Sequence, residues 1–207
     1  ILGYISDYLS SHGIESSLSF DPDGERANLY ATIGPQVDGG LVLSGHTDVV
    51  PVEGQTWATD PFTLTRKNGC LYGRGAVDML NMAAMSALCV LLLKRSGATL
   101  KRDLIFAGVA DEEAGSQYGS LWLAEHHPEL VTAEHVFSEI GGFTMHVGGT
   151  RFYPVQVAEK GIAWLTIRAT GTPGHGSIPA KDNPIVKIAR AAELLGTKRL
   201  PYHRTPV

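Results

Sequence analysis

This chain has few cysteines, a small net charge and no long apolar run, and these features exclude several classes of protein. The two cysteines, Cys70 and Cys89, lack the spacing of a CxxC pair and do not make a disulfide framework. The 17 lysines and arginines form no stripe that alternates with aromatic residues, so no nucleic-acid partner is expected. The longest apolar stretch, 82–93, is shorter than the roughly 20 residues of a membrane-spanning helix. We therefore expect no membrane partner, and we expect Cys89 to lie in a buried helix.

The length and the start of the chain limit its domain organisation. With 207 residues, of which 43% are hydrophobic, it can form one core, or one domain and part of another. It begins at Ile1 within a helical pattern, so we expect an N-terminal segment to precede it. No signal peptide is visible, and we expect a cytoplasmic protein.

Short apolar runs alternate with helical patterns over residues 1–159. Strands are predicted over 14–20, 27–33, 41–43, 104–110 and 135–138. Helices are predicted over 1–11, 77–95 and 116–126. The first two strands are expected to pair as a hairpin, the long middle helix to be buried on several sides, and 51–70 to be rich in loop. This alternation predicts an α/β layered domain with a mostly parallel central sheet and flanking helices.

The pattern changes near residue 160. A strand is predicted over 161–170, followed by a glycine-rich turn over 171–177. Asp182 can cap a helix that runs to about residue 195, with Pro184 in its first turn. We expect a new structural unit to begin here and to continue beyond the end of this chain.

Histidine and acidic residues follow the predicted buried strands in series. They are His46, Asp78, the adjacent pair Glu112 and Glu113, and Glu139. One histidine and several carboxylates in one pocket suit a pair of divalent metal ions, zinc above all. An adjacent pair of glutamates lets one bind metal while the other transfers a proton. The series therefore predicts metal-assisted hydrolysis.

Ordinary interpretations of these residues stay open at this point. His46 and Asp48 project to the same side of an extended segment, so the carboxylate can orient the imidazole, but a single histidine at a strand end can also be a polar rim residue. Asp78 can cap a helix, the glutamate pair can be a solvated helix start, and Glu139 can be a loop carboxylate.

Six segments in order resemble a known family of co-catalytic zinc hydrolases. The family includes acetylornithine deacetylase, succinyl-diaminopimelate desuccinylase, aminoacylase, carnosine dipeptidases and glutamate carboxypeptidases. The segments are SGHTDVVP (44–51), WATDPF (57–62), LYGRGAVDM (71–79), ADEEAGS (110–116), SEIGGF (138–143) and GTPGHGSIP (171–179). Each motif alone is weak, but six of them in the family's order are specific.

The resemblance implies a catalytic α/β domain interrupted by a smaller α+β dimerisation domain. We accordingly expect the N-terminal part of the catalytic domain over 1–159 and the beginning of the inserted domain over 160–207. A homodimer is expected for the full-length protein.

The resemblance also implies two zinc ions, with cobalt or manganese as possible replacements. His46 would bind the first metal, Asp78 would bridge both, Glu113 would bind the second, and Glu139 would complete the first. The last histidine ligand of the family matches no residue of this chain. The family's usual DMKG is Asp78-Met79-Leu80-Asn81 here, so the local loop is expected to differ.

The implied reaction is hydrolysis of an amide C–N bond in an N-acyl amino acid or a small peptide. Glu112 would take a proton from a metal-bridged water and return it to the leaving amine, with Asp48 orienting His46. His175 would reach the partner subunit's active site and stabilise the oxyanion, although it can also be a plain turn histidine. The alternatives are an aminopeptidase with the same metal cage, and an inactive fragment or scaffold with the same fold.

Overall fold

The computed structural model describes residues 1–37, 39–139, 143–156, 161, 163–179, 181–199 and 201–204. The chain divides into two compact units, Ile1–Ile140 and Gly141–Val207. The domain boundary expected near residue 160 concerns the family's inserted domain and stays a prediction.

Among its described residues, the first unit contains seven strands, four α-helices and a short 3-10 turn. The strands are β1 (Ser17–Phe20), β2 (Ala27–Ile33), β3 (Gly40–His46), β4 (Thr65–Lys67), β5 (Cys70–Tyr72), β6 (Asp103–Val109) and β7 (His135–Phe137). The helices are α1 (Leu2–Ser10), α2 (Leu80–Ser96), α3 (Ser120–His126) and α4 (Pro128–Val131), and the 3-10 turn is Glu112–Ala114.

Five strands form one sheet in the order β1-β2-β6-β3-β7. The β1–β2 and β2–β6 pairs are antiparallel, whereas β3 pairs with β6 and with β7 in parallel. The predicted hairpin and the α/β class are confirmed, but the sheet is mixed and not mostly parallel. A tight turn forces β1 and β2 to be antiparallel, while the crossover through α2 makes β3 and β6 parallel.

Strand β6 is buried on both faces and organises two hydrophobic cores. Phe106 belongs to the core that includes residues of α1 and α2, whereas Ile105 and Val109 pack with Leu123 of α3. Successive side chains of a strand point to opposite faces, so the helices cover both sides of the sheet. This double burial explains the continuous apolar run LIFAGV that follows Asp103 in β6.

In residues 51–96 one feature was not predicted and one prediction is wrong. Within the predicted loop, β4 and β5 form a hairpin across Asn68 and Gly69, whose φ angles are +52° and +78°. An Asn-Gly pair favours such a two-residue turn, and this signal was present in the sequence. Helix α2 packs one face through Ala83, Ala87, Val90 and Leu91. Its other face is open, so Cys89 is exposed and not buried.

The second unit contains the hairpin β8 (Met145–Val147) and β9 (Thr150–Phe152) and the helix α5 (Pro184–Thr197). The strand predicted over 161–170 is not formed by the residues described there, which pair with no other strand. Asn183, and not Asp182, caps α5, because its side-chain oxygen accepts the N–H of Ile185 at 2.9 Å. The Asp182 carboxylate instead accepts the N–H of Thr172 at 2.9 Å.

Within the described ranges, no helix has the length and apolar character needed to cross a membrane.

Replacing Phe106 by alanine is expected to lower the free energy of unfolding by about 3–5 kcal/mol, because its ring is fully buried and leaves a cavity. Urea unfolding followed by circular dichroism measures the loss. The control is Phe62→Ala, whose ring is 68% exposed and whose removal should cost no more than about 0.5 kcal/mol. Similar losses in both variants would contradict the assignment of Phe106 to the core.

Candidate metal centre

The candidate centre lies at the carboxyl ends of two neighbouring parallel strands. In the β3–β6 register His46 is opposite Val109, and the N–H of Thr47 donates to the carbonyl of Val109 at 2.8 Å. The chain therefore leaves β3 toward Asp48 beside the point where it leaves β6. Parallel pairing in this register brings the two motifs together, as expected for ligand sites at strand ends.

His46 is held in one orientation by two contacts. Its Nδ1 lies 3.0 Å from the backbone carbonyl oxygen of Asp48, which can only accept, so Nδ1 carries a proton and donates it. Its backbone N–H donates to the sulfur of Met79 at 3.2 Å. The side chain is 1% exposed. These contacts leave Nε2 as the ring nitrogen available to other groups.

Three carboxylates converge on Nε2 of His46. Oδ1 of Asp78 lies at 3.0 Å, Oε2 of Glu139 at 3.6 Å and Oε2 of Glu112 at 3.9 Å. Asp78 and Glu112 are partly open to solvent, whereas Glu139 is mostly covered. The arrangement places a buried imidazole nitrogen at the bottom of an acidic, accessible pocket.

Asp78 reaches this pocket because the residues around it anchor the segment before α2. Met79 is 2% exposed and fills the space beneath His46. Gly75 has φ +80°, and a Cβ there would lie 2.8 Å from the Val49 side chain. Helix α2 begins at Leu80 with Met79 as its N-cap residue, so Asp78 does not cap the helix. Met79 belongs to the LYGRGAVDM motif, but its contact with the backbone of His46 is not predictable from that motif.

The glutamate pair lies on the 3-10 turn that follows β6. The two oxygens of the Asp48 carboxylate accept the backbone N–H groups of Glu112 and Glu113, at 3.1 and 3.0 Å. The same carboxylate lies 3.6 Å from Nδ1 of His46. Asp48 thus connects the histidine to the backbone of the glutamate pair. The backbone carbonyl of Asp48 orients the imidazole of His46 directly. An orienting role for the Asp48 carboxylate stays a prediction.

The donor atoms at this centre fit a divalent metal. One set consists of His46, Asp78 and Glu139, and an overlapping set consists of His46, Glu112 and Glu113, with one possible ligand atom from each residue within 4.8 Å of the others. Imidazole nitrogen with carboxylate oxygen is a donor combination that zinc accepts. Since one nitrogen binds one ion, a second ion at this centre would have to share Asp78 or use other donors.

Burial and charge act in opposite directions on His46. Burial lowers its pKa, but the hydrogen bond to the Asp48 carbonyl and the carboxylates of Asp78, Asp48 and Glu139 together raise the pKa above its ordinary value. In the metal-free protein this favours an imidazolium that donates from Nε2 to Asp78. A metal that binds Nε2 must displace this proton.

The pKa values of two carboxyl groups are also raised. Burial is the main cause for both Glu113 and Glu139. The charges of Asp78 and Glu112 add to the increase, and the nearby His46 opposes it. Like charges and partial burial therefore disfavour ionisation of these groups until a cation is present.

His175, the remaining predicted site residue, belongs to the second unit and is exposed. Its Nδ1 lies 2.8 Å from the hydroxyl of Ser177 and 3.3 Å from the backbone N–H of the same residue. Because the N–H can only donate, Nδ1 accepts, and in the neutral ring the proton resides on Nε2.

Comparison with known proteins gives a consistent picture. The sequence pattern described as Peptidase family M20/M25/M40 matches residues 42–206. A succinyl-diaminopimelate desuccinylase of Beijerinckia indica is 32% identical over 209 residues, covering 95% of this chain and 52% of the relative. An acetylornithine deacetylase of Shigella sonnei is 39% identical over 165 residues, covering 80% of this chain and 39% of the relative. The chain thus spans about half, or less, of the length of these curated relatives.

Solved structures agree on the fold. An M20 family metallo-carboxypeptidase from Sulfolobus solfataricus superimposes with a TM-score of 0.55 at 25% identity, covering 67% of this chain and 31% of that one. Human carnosine dipeptidase 1 superimposes with a TM-score of 0.53 at 24% identity, covering 66% and 31%. The mixed sheet with flanking helices therefore matches the fold of this kind of hydrolase.

The raised pKa values of Glu113 and Glu139 predict a pH-dependent loss of folding stability in the metal-free protein. A carboxyl whose pKa rises on folding destabilises the fold above that pKa, and the cost disappears below the ordinary value of about 4.3. In chelator, Glu113→Gln and Glu139→Gln should therefore melt at higher temperature than the unchanged chain at neutral pH. The gain should vanish as the pH falls toward about 4. Differential scanning calorimetry across this range provides the measurement.

The control for this prediction is Asp60→Asn, which should behave in the opposite way. The N–H of Phe62 and the hydroxyl of Thr63 lower the pKa of Asp60, so its ionised form stabilises the fold above the ordinary carboxyl pKa. The asparagine variant should lose stability at neutral pH and match the unchanged chain in acid. The same sign for all three variants would show that the shifts at the centre are wrongly assigned.

Proposed function

Because the chain belongs to peptidase family M20/M25/M40, we propose that it carries the metal centre of a hydrolase that cleaves an amide C–N bond in an N-acyl amino acid or a small peptide. The observation that carries this proposal is the convergence of three carboxylates on the buried Nε2 of His46. In the described part of the chain, the ion pairs of these carboxylates are with His46 and not with lysine or arginine. Their negative charge is thus left for a bound cation to balance.

Each carboxylate takes a different part in the proposed site. His46, Asp78 and Glu139 would hold the first metal ion. Asp78 would be shared with a second ion, which Glu113 would also bind. Zinc is the expected metal, although carboxylate-rich sites also accept cobalt or manganese. When bound, the two ions polarise the substrate carbonyl and lower the pKa of a water molecule.

Glu112 is the proposed general base and acid. Its Oε2 is 3.9 Å from Nε2 of His46 while its side chain is 42% exposed, so it borders the metal ligands and can reach substrate. It accepts a proton from the attacking water as the new C–O bond forms, and gives that proton to the nitrogen as the C–N bond breaks. Asp48 keeps Glu112 in place through the backbone N–H at 3.1 Å.

The second unit contributes to the proposal through His175. With Nδ1 accepting from Ser177, the neutral ring presents an N–H donor at Nε2, which suits an oxyanion. We propose that residues 160–207 begin an inserted dimerisation domain, and that in a homodimer His175 serves the active site of the partner subunit.

The names of the relatives support the substrate class. One is named for removing a succinyl group and others for removing an acetyl group from an amino-acid amine. A carboxypeptidase and a dipeptidase share the fold. An N-acyl amino acid and a small peptide offer the same amide bond, so both belong in the first substrate screen.

Elemental analysis of this chain after zinc loading and desalting is expected to show bound zinc that falls when Asp78 is replaced by alanine. The Asp78 carboxylate is the oxygen closest to Nε2 of His46, so its loss should weaken the first set by at least about tenfold. Asp23→Ala, an exposed acidic residue of the β1–β2 turn, is the matched control and should retain zinc. Absence of transition metal both from this chain and from a polypeptide extended to the length of its relatives would count against the hydrolase and favour a non-catalytic scaffold.

Replacing Glu112 by glutamine is expected to abolish turnover and leave the first zinc bound. Glutamine cannot take up the proton, and losing a general base costs about 10²–10⁴-fold in kcat. Turnover is measured with N-acyl amino acids and dipeptides on a polypeptide extended to the length of its relatives, and zinc is measured on the same sample. Full activity of Glu112→Gln would refute the assignment of the base.

A further inference from the structure

Asn28 of β2 is a fully buried polar residue that has no part in the metal or proton-transfer roles above. Its side-chain oxygen accepts the backbone N–H of Ala110 at 3.0 Å. Its side-chain nitrogen donates to the backbone carbonyl of Tyr118 at 2.7 Å. The two partners belong to the loop that follows β6 and carries the glutamate pair. One amide side chain thus holds the loop at both of its ends.

The position of Asn28 in the sheet explains these contacts. β2 runs antiparallel to β6, with Leu29 opposite Gly108, so Asn28 lies beside the last residues of β6. Beyond Val109 the chain leaves the sheet, and the side chain of Asn28 supplies the acceptor that a neighbouring strand would otherwise provide. Few side chains offer an acceptor and a donor side by side, and an amide is one of them.

The loop held by Asn28 is closed and compact. A Cβ on Gly119 would lie 1.8 Å from the carbonyl oxygen of Ala110, so the two ends of the loop are in close contact. Inside the loop the N–H of Ser116 donates to the carbonyl of Asp111 at 2.6 Å. The N–H of Tyr118 donates to the carboxylate of Asp111 at 3.3 Å. A displacement at the base of such a loop is transmitted to the residues in its middle.

We propose that Asn28 is a positioning residue, which fixes where the loop leaves β6 and so holds Glu112 and Glu113 beside His46. Asp48 restrains the middle of the loop through the N–H groups of the two glutamates, while Asn28 restrains its base. The restraint of the loop by Asn28 depends on this chain alone. Its effect on catalysis rests on the proposed function, since it requires Glu112 to be the base and Glu113 a ligand.

The test is amide hydrogen exchange on the metal-free chain with Asn28→Ala and Asn28→Asp. The informative amides are those of Glu112 and Glu113, which Asn28 does not contact directly. Asn28→Ala leaves two buried backbone groups unpaired, so we expect these amides to exchange about tenfold faster. Asn28→Asp has the same size and keeps the acceptor for Ala110, but it loses the donor for Tyr118, so a smaller acceleration is expected.

Ile33→Ala serves as the matched control. Ile33 lies at the opposite end of the same strand and is 8% exposed in the core, so its truncation destabilises the unit without touching the loop. It should accelerate exchange throughout the unit and not selectively at the glutamate pair. Equal exchange at Glu112 and Glu113 in Asn28→Ala and Ile33→Ala, after matching for overall stability, would overturn the inference.

Zinc titration of the same variants separates this inference from the proposed function. Asn28→Ala should keep the first zinc, whose expected ligands lie on other segments, and lose at least about tenfold in affinity for a second. In the extended polypeptide kcat should fall while KM is retained, because the base is displaced and not the substrate contacts. If the amides of Glu112 and Glu113 exchange selectively faster in Asn28→Ala but the chain binds no zinc, Asn28 restrains the loop and the proposed metal centre is wrong. Unchanged affinity for the second zinc despite selective exchange would overturn the positioning role.

Discussion

The candidate centre depends on one interaction, the parallel pairing of β3 with β6. Their register sets His46 against Val109, and the N–H of Thr47 continues the pairing one residue further. Because both strands end at the same level, Asp48 emerges within hydrogen-bonding distance of the glutamate pair. Its carboxylate then closes the connection through two backbone N–H groups. A register shift of one residue would turn His46 to the other face of the sheet and separate every group discussed above.

A second constraint is electrostatic. The fold brings Asp78, Glu112 and Glu139 within 4 Å of a single imidazole nitrogen, and partial burial raises the pKa of Glu139. Such crowding is unfavourable by itself, and contacts of neighbouring residues restrain two of the segments that carry these carboxylates. Met79 anchors the Asp78 segment, Asp48 anchors the 3-10 turn, and Asn28 anchors the loop base. The site therefore resembles a preorganised cation-binding pocket, in which these contacts together offset the repulsion between the carboxylates.

Local sequence signals predicted the α/β class and named Asp78, Glu112 and Glu139, whose carboxylates lie near His46 in the structure, while the roles of these residues stay predictions. Apolar runs indicated β3 and β6, because buried strands exclude polar groups. The polar residues that follow these runs indicated the candidate site. The antiparallel β2–β6 contact could not be predicted, since it depends on which distant strand completes the sheet. The open face of α2 escaped detection because apolar residues occur on both of its faces. The roles of Asn28 and Met79 rest on contacts between distant segments, which no local pattern records, while the Asn68-Gly69 turn was readable and overlooked.

The four segments that supply the carboxylates and the histidine are far apart in the sequence, and this has a consequence for folding. In the unfolded chain His46, Asp78 and Glu139 cannot surround one ion, so a metal would bind almost only to the assembled sheet. Metal occupancy then becomes a reporter of native structure. Substitutions in the distant core that contact no ligand would weaken apparent affinity simply by depopulating the folded state. A polypeptide of this kind would be protected from proteolysis in proportion to the free metal around it, which couples its lifetime to metal supply.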